Sequence, residues 1–322
     1  MTLVVCPNLA VDRILLLPEL RRGVTLRARL LAQQAGGKGP NVLRALRALG
    51  GTGLVAGFAA GATGRLVAEL AASEGLEVEV IASEGEARVS TLVLTADGPA
   101  IRIFEHGPTI GAGEERALLA AMAGRPAASA EWAIVTGAVQ PGSSEAFYGA
   151  ICEGLRAAGY RVMVDATAAQ LAGALRARPD IVKVNLAEAR SALVDAGDGS
   201  ASAEGGLAAE GLALCHRLVR AGARDAVVTL AADGAVGLID GRAWRVTAPD
   251  VTAVNTTGSG DCFAAALLLA FERGDPVEAA LAAAAGVAAA NAADPVTSRF
   301  DPALARDLAG RAFVGPPSLH AT

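Results

Sequence analysis

Short apolar runs alternate along this chain with segments whose apolar residues recur every three or four positions. By that pattern Leu3–Cys6 is a short buried strand, followed by a turn over Asn8-Leu9-Ala10-Val11-Asp12. Thr25–Gln34 alternates irregularly, as an exposed strand pair would. A helix then runs through Gly50, with Leu43, Leu46 and Leu49 on one face. Strands are expected near Leu54–Phe58, Val78–Ile81, Val89–Thr95 and Ile101–Phe104, with a helix near Thr63–Ser73. An Asp97-Gly98 turn would join the last two strands as a hairpin. From about residue 110, strands near Trp132–Thr136, Val162–Asp165, Ile181–Val184 and Ala226–Leu230 alternate with amphipathic helices. That alternation predicts an α/β fold with a mostly parallel sheet. Gly197–Gly206 reads as a polar loop, and no repeat of solenoid length is present.

Composition narrows the class. A chain of 322 residues, 52% hydrophobic and 3% aromatic, builds its core from Ala, Val and Leu. That length is ordinary for an α/β fold with one core. A net charge of −5 with no basic run argues against nucleic acid as a partner. The cysteines at 6, 152, 215 and 262 share no metal or redox spacing and read as reduced thiols of a cytoplasmic protein. The N-terminus has no basic leader, and Pro7, Asn8 and Asp12 interrupt its apolar stretch, so no signal peptide is expected. Ala279–Ala293 is apolar but short, which suits a buried helix and not a membrane span.

Two residue types are scarce. Lys38 and Lys183 are the only lysines among 28 basic residues, and asparagine occurs only at 8, 41, 185, 255 and 291. A chain drifting towards Arg and Ala keeps Lys and Asn mainly where a compact ammonium or a short amide is required. Most of these residues fall in the motifs that follow.

Asn255-Thr256-Thr257-Gly258-Ser259-Gly260-Asp261 leads directly into an Ala/Leu-rich helix. Its glycines allow a tight turn and close approach to a ligand. The first helical turn offers free N–H groups and the positive end of the dipole, a phosphate-sized anion site. Asp261 beside that cradle is either a helix-start carboxylate favoured by the dipole or a base for a hydroxyl attacking the phosphate. Gly36-Gly37-Lys38-Gly39-Pro40-Asn41 surrounds a lone ammonium with glycines but lacks the spacing of the G-x-x-x-x-G-K-[ST] phosphate loop. Asn185 and Glu188 fall three apart at a helix start, oxygen donors suited to a hydrated Mg²⁺. Asp12 follows a strand end, where open sheets present ligand groups, and is otherwise a turn residue. Arg88 is either a surface arginine or a phosphate ligand. Thr229–Gly234 is a strand-to-turn passage, and His106 has no partner motif.

Together, in this order, these motifs resemble the pfkB-type carbohydrate kinases of the ribokinase superfamily from the first strand to about residue 312. Asn8…Asp12, Arg88 and Phe104-Glu105-His106-Gly107-Pro108-Thr109 are most similar to the tagatose-6-phosphate kinase and 1-phosphofructokinase group. The resemblance implies a ribokinase-like, mostly parallel sheet flanked by helices. It also implies a small β lid from about 12–35 and 86–106, one kinase domain over 1–315, and a tail at 316–322. In many members the lid also forms a dimer clasp, which implies a homodimer. By resemblance, Asp12, Gly37, Lys38 and Asn41 hold sugar hydroxyls and phosphate, with Arg88 on the phosphate. Asn185 and Glu188 organise Mg²⁺ through water, while Lys183, Asn185, Thr229, Gly234 and Asn291 line the nucleotide. Gly258, Ser259 and Gly260 form the anion hole and Asp261 is the base. The implied reaction is ATP-dependent phosphorylation of a ketohexose phosphate.

The chain departs from the family at Leu9, Pro40, Val184, Ala231 and the Val139-Gln140-Pro141-Gly142 turn. These changes bear on nucleotide affinity and donor choice and remove no charged or proton-transferring group. A sugar-phosphate-binding protein with impaired transfer and a kinase for an unphosphorylated sugar or nucleoside are the alternatives. A dinucleotide-dependent oxidoreductase is excluded, because no G-x-G-x-x-G follows the first strand.

Overall fold

The computed structural model describes residues 1–96, 98, 100–128, 131–193 and 206–317. Asp97 of the expected hairpin turn, residues 197–205 of the polar loop and 318–322 of the tail lie outside the described residues.

A ten-stranded sheet forms the body of the protein. Seven consecutive strands, running in from the β5 edge, are parallel: β1 (Thr2–Asn8), β4 (Gly53–Ala59), β5 (Val78–Ala82), β8 (Trp132–Thr136), β9 (Arg161–Asp165), β10 (Ile181–Asn185) and β11 (Asp225–Thr229). One edge continues antiparallel through β12 (Ala235–Ile239), β13 (Arg242–Thr247) and β14 (Phe313–Gly315), which the strand–helix pattern does not reveal. Alternate strand residues feed opposite layers: Val4, Cys6 and Ile134 enter one apolar core, while Leu3, Val5, Ala133 and Val135 enter the other. The first core is closed by α1 (Lys38–Ala48), α8 (Ser259–Arg273), α9 (Val277–Ala292) and α10 (Pro302–Arg311). On the opposite face lie α3 (Ala112–Ala123), α4 (Phe147–Ala157), α5 (Ala168–Arg176), α6 (Leu186–Leu193) and α7 (Gly206–Arg220). Both faces are covered, which is why the central strands read as near-continuous apolar runs.

A second sheet of four strands, in the order β3-β2-β6-β7, comprises β2 (Ala10–Leu17), β3 (Arg29–Gly36), β6 (Arg88–Thr95) and β7 (Ile101–Phe104). Two local expectations are corrected here. Asp12 lies within β2 and not in a turn, since only Leu9 separates β1 from β2 and residues 10–17 pair with strands on both sides. Thr25–Gln34 holds one strand and not two; the pairing partner of Arg29–Gly36 is β2, twenty residues upstream, which local alternation cannot show.

Candidate active site

The carboxyl ends of the parallel strands deliver Asn8, Thr136, Asp165, Asn185 and Thr229 to one edge of the sheet, where open α/β folds bind ligands. Two helices point their N-termini at that edge. Gly37 (φ +96°) leads into α1, and Gly258 (φ +81°) leads into α8. At Gly258 the left-handed backbone and the closeness of Thr297 and Ser298, under 3 Å from where a Cβ would lie, both require glycine.

Asp261 sits in the first turn of α8 and is buried, accepting at Oδ2 a hydrogen bond from Asn41 Nδ2 at 2.9 Å. Burial pushes its carboxyl up to about 6; Lys38, the Asn41 bond and Lys183 hold it down, while Asp165 adds to the rise. A carboxylate so poised accepts a proton near neutral pH.

The loop before it is braced from below. Asn255 Oδ1 accepts from Thr257 N at 2.9 Å. Asn291 is fully buried: its Nδ2 donates to Thr257 O at 3.0 Å and Ser259 Oγ at 2.9 Å, and its Oδ1 accepts from Ser298 N at 2.7 Å. Asn291 therefore braces the anion loop from below. Lys183 is also only 2% exposed; its ammonium lies on Asp165 Oδ2 at 3.0 Å and 3.0 Å from where a Gly260 Cβ would be. Its charge thus lies directly beneath the anion loop.

Lys38, at the start of α1, meets the same buried carboxylate. Its Nζ contacts Asp165 Oδ1 at 2.9 Å and Glu188 Oε1 at 3.4 Å. Burial alone would lower its pKa, but Asp165, Glu188 and Asp261 hold the ammonium above its ordinary value. Asp165, fully buried, is kept below the usual carboxylate range by the two lysines despite its burial. Sequence reasoning treated Asp165 only as a strand end, although the rule applied to Asp12, a carboxylate closing a buried strand, would have found it.

Asn185 and Glu188 satisfy each other first. Asn185 N donates to Glu188 Oε2 and Glu188 N to Asn185 Oδ1, both at 2.9 Å, a reciprocal cap on α6. Among the described residues no three Cys, His, Asp or Glu side chains converge as a metal cage. That donor set suits a hydrated Mg²⁺ completed by phosphate oxygens. Thr229 ends β11 with its hydroxyl toward Val184 O, and Gly234 turns the chain at φ +89°. Between them Ala231, where the family usually has glycine, keeps a left-handed φ of +54°. The unusual conformation persists without glycine, at a cost of about 1–2 kcal/mol.

On the second sheet, Asp12 Oδ1 lies so close to Gly36 that a Cβ there would overlap it. Loss of water raises the Asp12 pKa, against Arg44 and Arg88. Arg88 reaches Asn8 O at 3.3 Å through one terminal nitrogen, and its buried Nε has no partner among the described residues. Arg102 of β7 donates to Thr257 Oγ1 at 2.9 Å and Thr256 Oγ1 at 3.2 Å, tying this sheet to the anion loop. A cavity between them is lined by Asp12, Ser90, Arg102, Phe104, Thr257 and Thr297 among others. Arg102 carried no local signal, its partners being some 155 residues away.

The chain matches the description "pfkB family carbohydrate kinase" over residues 1–303. A 1-phosphofructokinase of Haloferax volcanii is 30% identical over 276 residues, 85% of each chain. One of Bacillus subtilis is 26% identical over 273 residues, 85% of this chain and 86% of that one. Phosphofructokinase-2 from Escherichia coli in complex with potassium superposes with a TM-score of 0.86 at 22% identity, covering 96% of this chain and 98% of that one. The fold, the anion loop at a helix N-terminus and the match along nearly the whole length agree: the chain belongs to the pfkB family of carbohydrate kinases, enzymes that transfer a phosphoryl group to an alcohol.

Proposed function

We propose that this protein transfers the γ-phosphate of ATP to a hydroxyl of a ketohexose phosphate (fructose 1-phosphate, tagatose 6-phosphate or fructose 6-phosphate), giving a hexose bisphosphate. The observation that carries the reading is Asp261, a buried carboxylate with its pKa at about 6, in the first turn of a helix whose N-terminus can hold a phosphate. Asp261 takes the proton of the attacking hydroxyl as the N–H groups around Gly258, Ser259 and Gly260 receive the transferred phosphoryl group. Lys38 and Lys183 supply positive charge from either side of Asp165. Asn185 and Glu188 hold Mg²⁺ through water, and the ion, when bound, neutralises charge on the nucleotide's phosphates. Thr229 and Gly234 border the nucleotide, while Asp12 and Gly37 border the sugar.

An acceptor that already carries a phosphate fits the two arginines of the second sheet, Arg102 lining the cavity and Arg88 with a buried Nε that has no partner among the described residues. The two relatives named as 1-phosphofructokinases support the same class. Charge-assisted hydrogen bonds are worth roughly 1.5–3 kcal/mol each. Two of them give about two to four powers of ten in kcat/KM. The test is kcat/KM for the three sugar phosphates beside free fructose, ribose and a nucleoside, with ATP and Mg²⁺. A phosphorylated sugar should win by at least a hundredfold, and Arg88→Ala should erase much of the margin. Comparable values for free and phosphorylated sugars overturn the assignment.

We read residues 1–315 as one kinase domain with the second sheet as its lid. Leu30, Ile103 and Phe104 are exposed apolar side chains on that lid, which supports a homodimer through it, checked by sedimentation of a Phe104→Asp variant. Among the described residues no helix is long and apolar enough to cross a membrane.

A further inference from the structure

Arg44 lies one turn beyond Asn41 on α1, and its guanidinium is fixed on three acceptors from three elements. Nε donates to Glu74 Oε2 at 2.7 Å, Nη1 to Asn41 Oδ1 at 3.0 Å and Nη2 to Ala35 O at 2.9 Å. Glu74, the C-cap of α2 (Gly61–Ser73), also accepts from Ala35 N at 2.8 Å, so the Arg44–Glu74 pair holds both the N–H and the C=O of one β3 residue. Arg44 is largely covered, its side chain 15% exposed.

A guanidinium has donors and no acceptor. The Asn41 atom facing Arg44 must therefore be its carbonyl oxygen. Its NH₂ group then has to face the other way, where it meets Asp261 Oδ2 at 2.9 Å. We propose that Arg44 is a positioning residue for the base: by claiming the oxygen of Asn41 it obliges that amide to present a donor, and never an acceptor, to Asp261. The assignment rests on the reading of Asp261 as the base. With Arg44 in place one carboxylate oxygen is occupied and the other is left for the hydroxyl proton. Without it, half a turn of the amide sets a carbonyl oxygen against the carboxylate, which disfavours the charged form.

The other charges around Asp261 come from Lys38 on α1, Asp165 on β9 and Lys183 on β10, with the thiols of Cys6 and Cys262 close by. Around Arg44 stand Glu74 and, on β2, Asp12. None of these can substitute for a donor that orients Asn41.

The experiment follows kcat against pH, at saturating ATP, Mg²⁺ and the best sugar phosphate, for wild type, Arg44→Met, Arg44→Lys, Asn41→Leu and the Asn41→Leu/Arg44→Met double variant. Both Arg44 variants should move the acid limb upward by about one to two pH units, the scale of one hydrogen bond to a carboxylate. Arg44→Met should add nothing in the Asn41→Leu background, because its effect passes through that amide. An unmoved limb in the Arg44 variants overturns the proposal, and so does a shift that persists in the double variant, the mark of a through-space charge. If Arg44→Met does not fold, Arg44→Lys decides, since lysine keeps the charge but cannot span three acceptors. Asp261→Asn separates the two readings. If it keeps turnover, the base assignment has failed; if it is inactive while the Arg44 limb stays put, only the positioning role has.

Discussion

Lys38 and Lys183, the only two lysines in the chain, hold the two oxygens of a single carboxylate: Lys38 Nζ on Asp165 Oδ1 at 2.9 Å and Lys183 Nζ on Oδ2 at 3.0 Å. Two ammonium groups that would repel each other are brought to one place by a buried anion, and Asp261 lies within reach of both charges. The two lysines therefore form one ionic unit around Asp165.

Removing that carboxylate tests the unit. Asp165→Asn leaves Lys183, 2% exposed, without its ionic partner. Loss of one member of a buried pair costs about 3–5 kcal/mol. A fall in Tm of roughly 5–10 °C is expected at pH 7. Because the Asp165 pKa is depressed in the folded protein, its stabilisation is fully present above the unfolded value and fades as pH drops. The gap between variant and wild type should narrow in acid; an equal gap at pH 7 and pH 3.5 counts against this account.

Lys38 is the largest charge lowering the Asp261 pKa. Lys38→Met should reduce kcat and move its acid limb above pH 6. A variant with unchanged kcat and limb but a raised KM for the sugar phosphate would return Lys38 to the acceptor side.

Asp261 carries two opposed consequences. Asp261→Asn removes proton acceptance, and kcat should drop by about two to four orders of magnitude with little change in sugar-phosphate binding. Near-normal turnover would remove Asp261 from the role. Stability should move the other way. The folded pKa of about 6 exceeds the ordinary 3.8, so the charged form is disfavoured by folding, and stability rises as pH falls through that window. Above pH 6 the full cost, on the order of 3 kcal/mol, is present. The Asn variant should melt higher than wild type at pH 8 and about equally at pH 4; an unchanged Tm at pH 8 refutes this.

Gly36 lies against Asp12, which we propose borders the sugar. A methyl group there would collide with Asp12 Oδ1. Gly36→Ala should shift that carboxylate and lower kcat/KM for the acceptor about ten- to a hundredfold, leaving KM for ATP nearly unchanged. Equal losses for both substrates would place the damage elsewhere.

Much of this protein could be read from residue order alone. A strand such as Trp132–Thr136 falls where its apolar run predicts it, because a strand covered on both faces must be apolar throughout. Gly258 and Asp261 were legible because a glycine turn before a helix makes an anion site by local geometry. What local order could not supply was the partner of each charge. Lys38 meets Asp165 across 127 residues, Asn41 meets Asp261 across 220, and Arg102 meets Thr257 across 155. Their meeting depends on how strands are ordered in the sheet and how two helices converge, which no short window of sequence contains. Resemblance assigns Lys38, Lys183 and Asn291 to ligands; their partners within the protein, Asp165 for both lysines and Thr257 and Ser259 for Asn291, were equally beyond local order. A buried polar group must find its partner in the folded state, so only the tertiary structure decides which partner it finds.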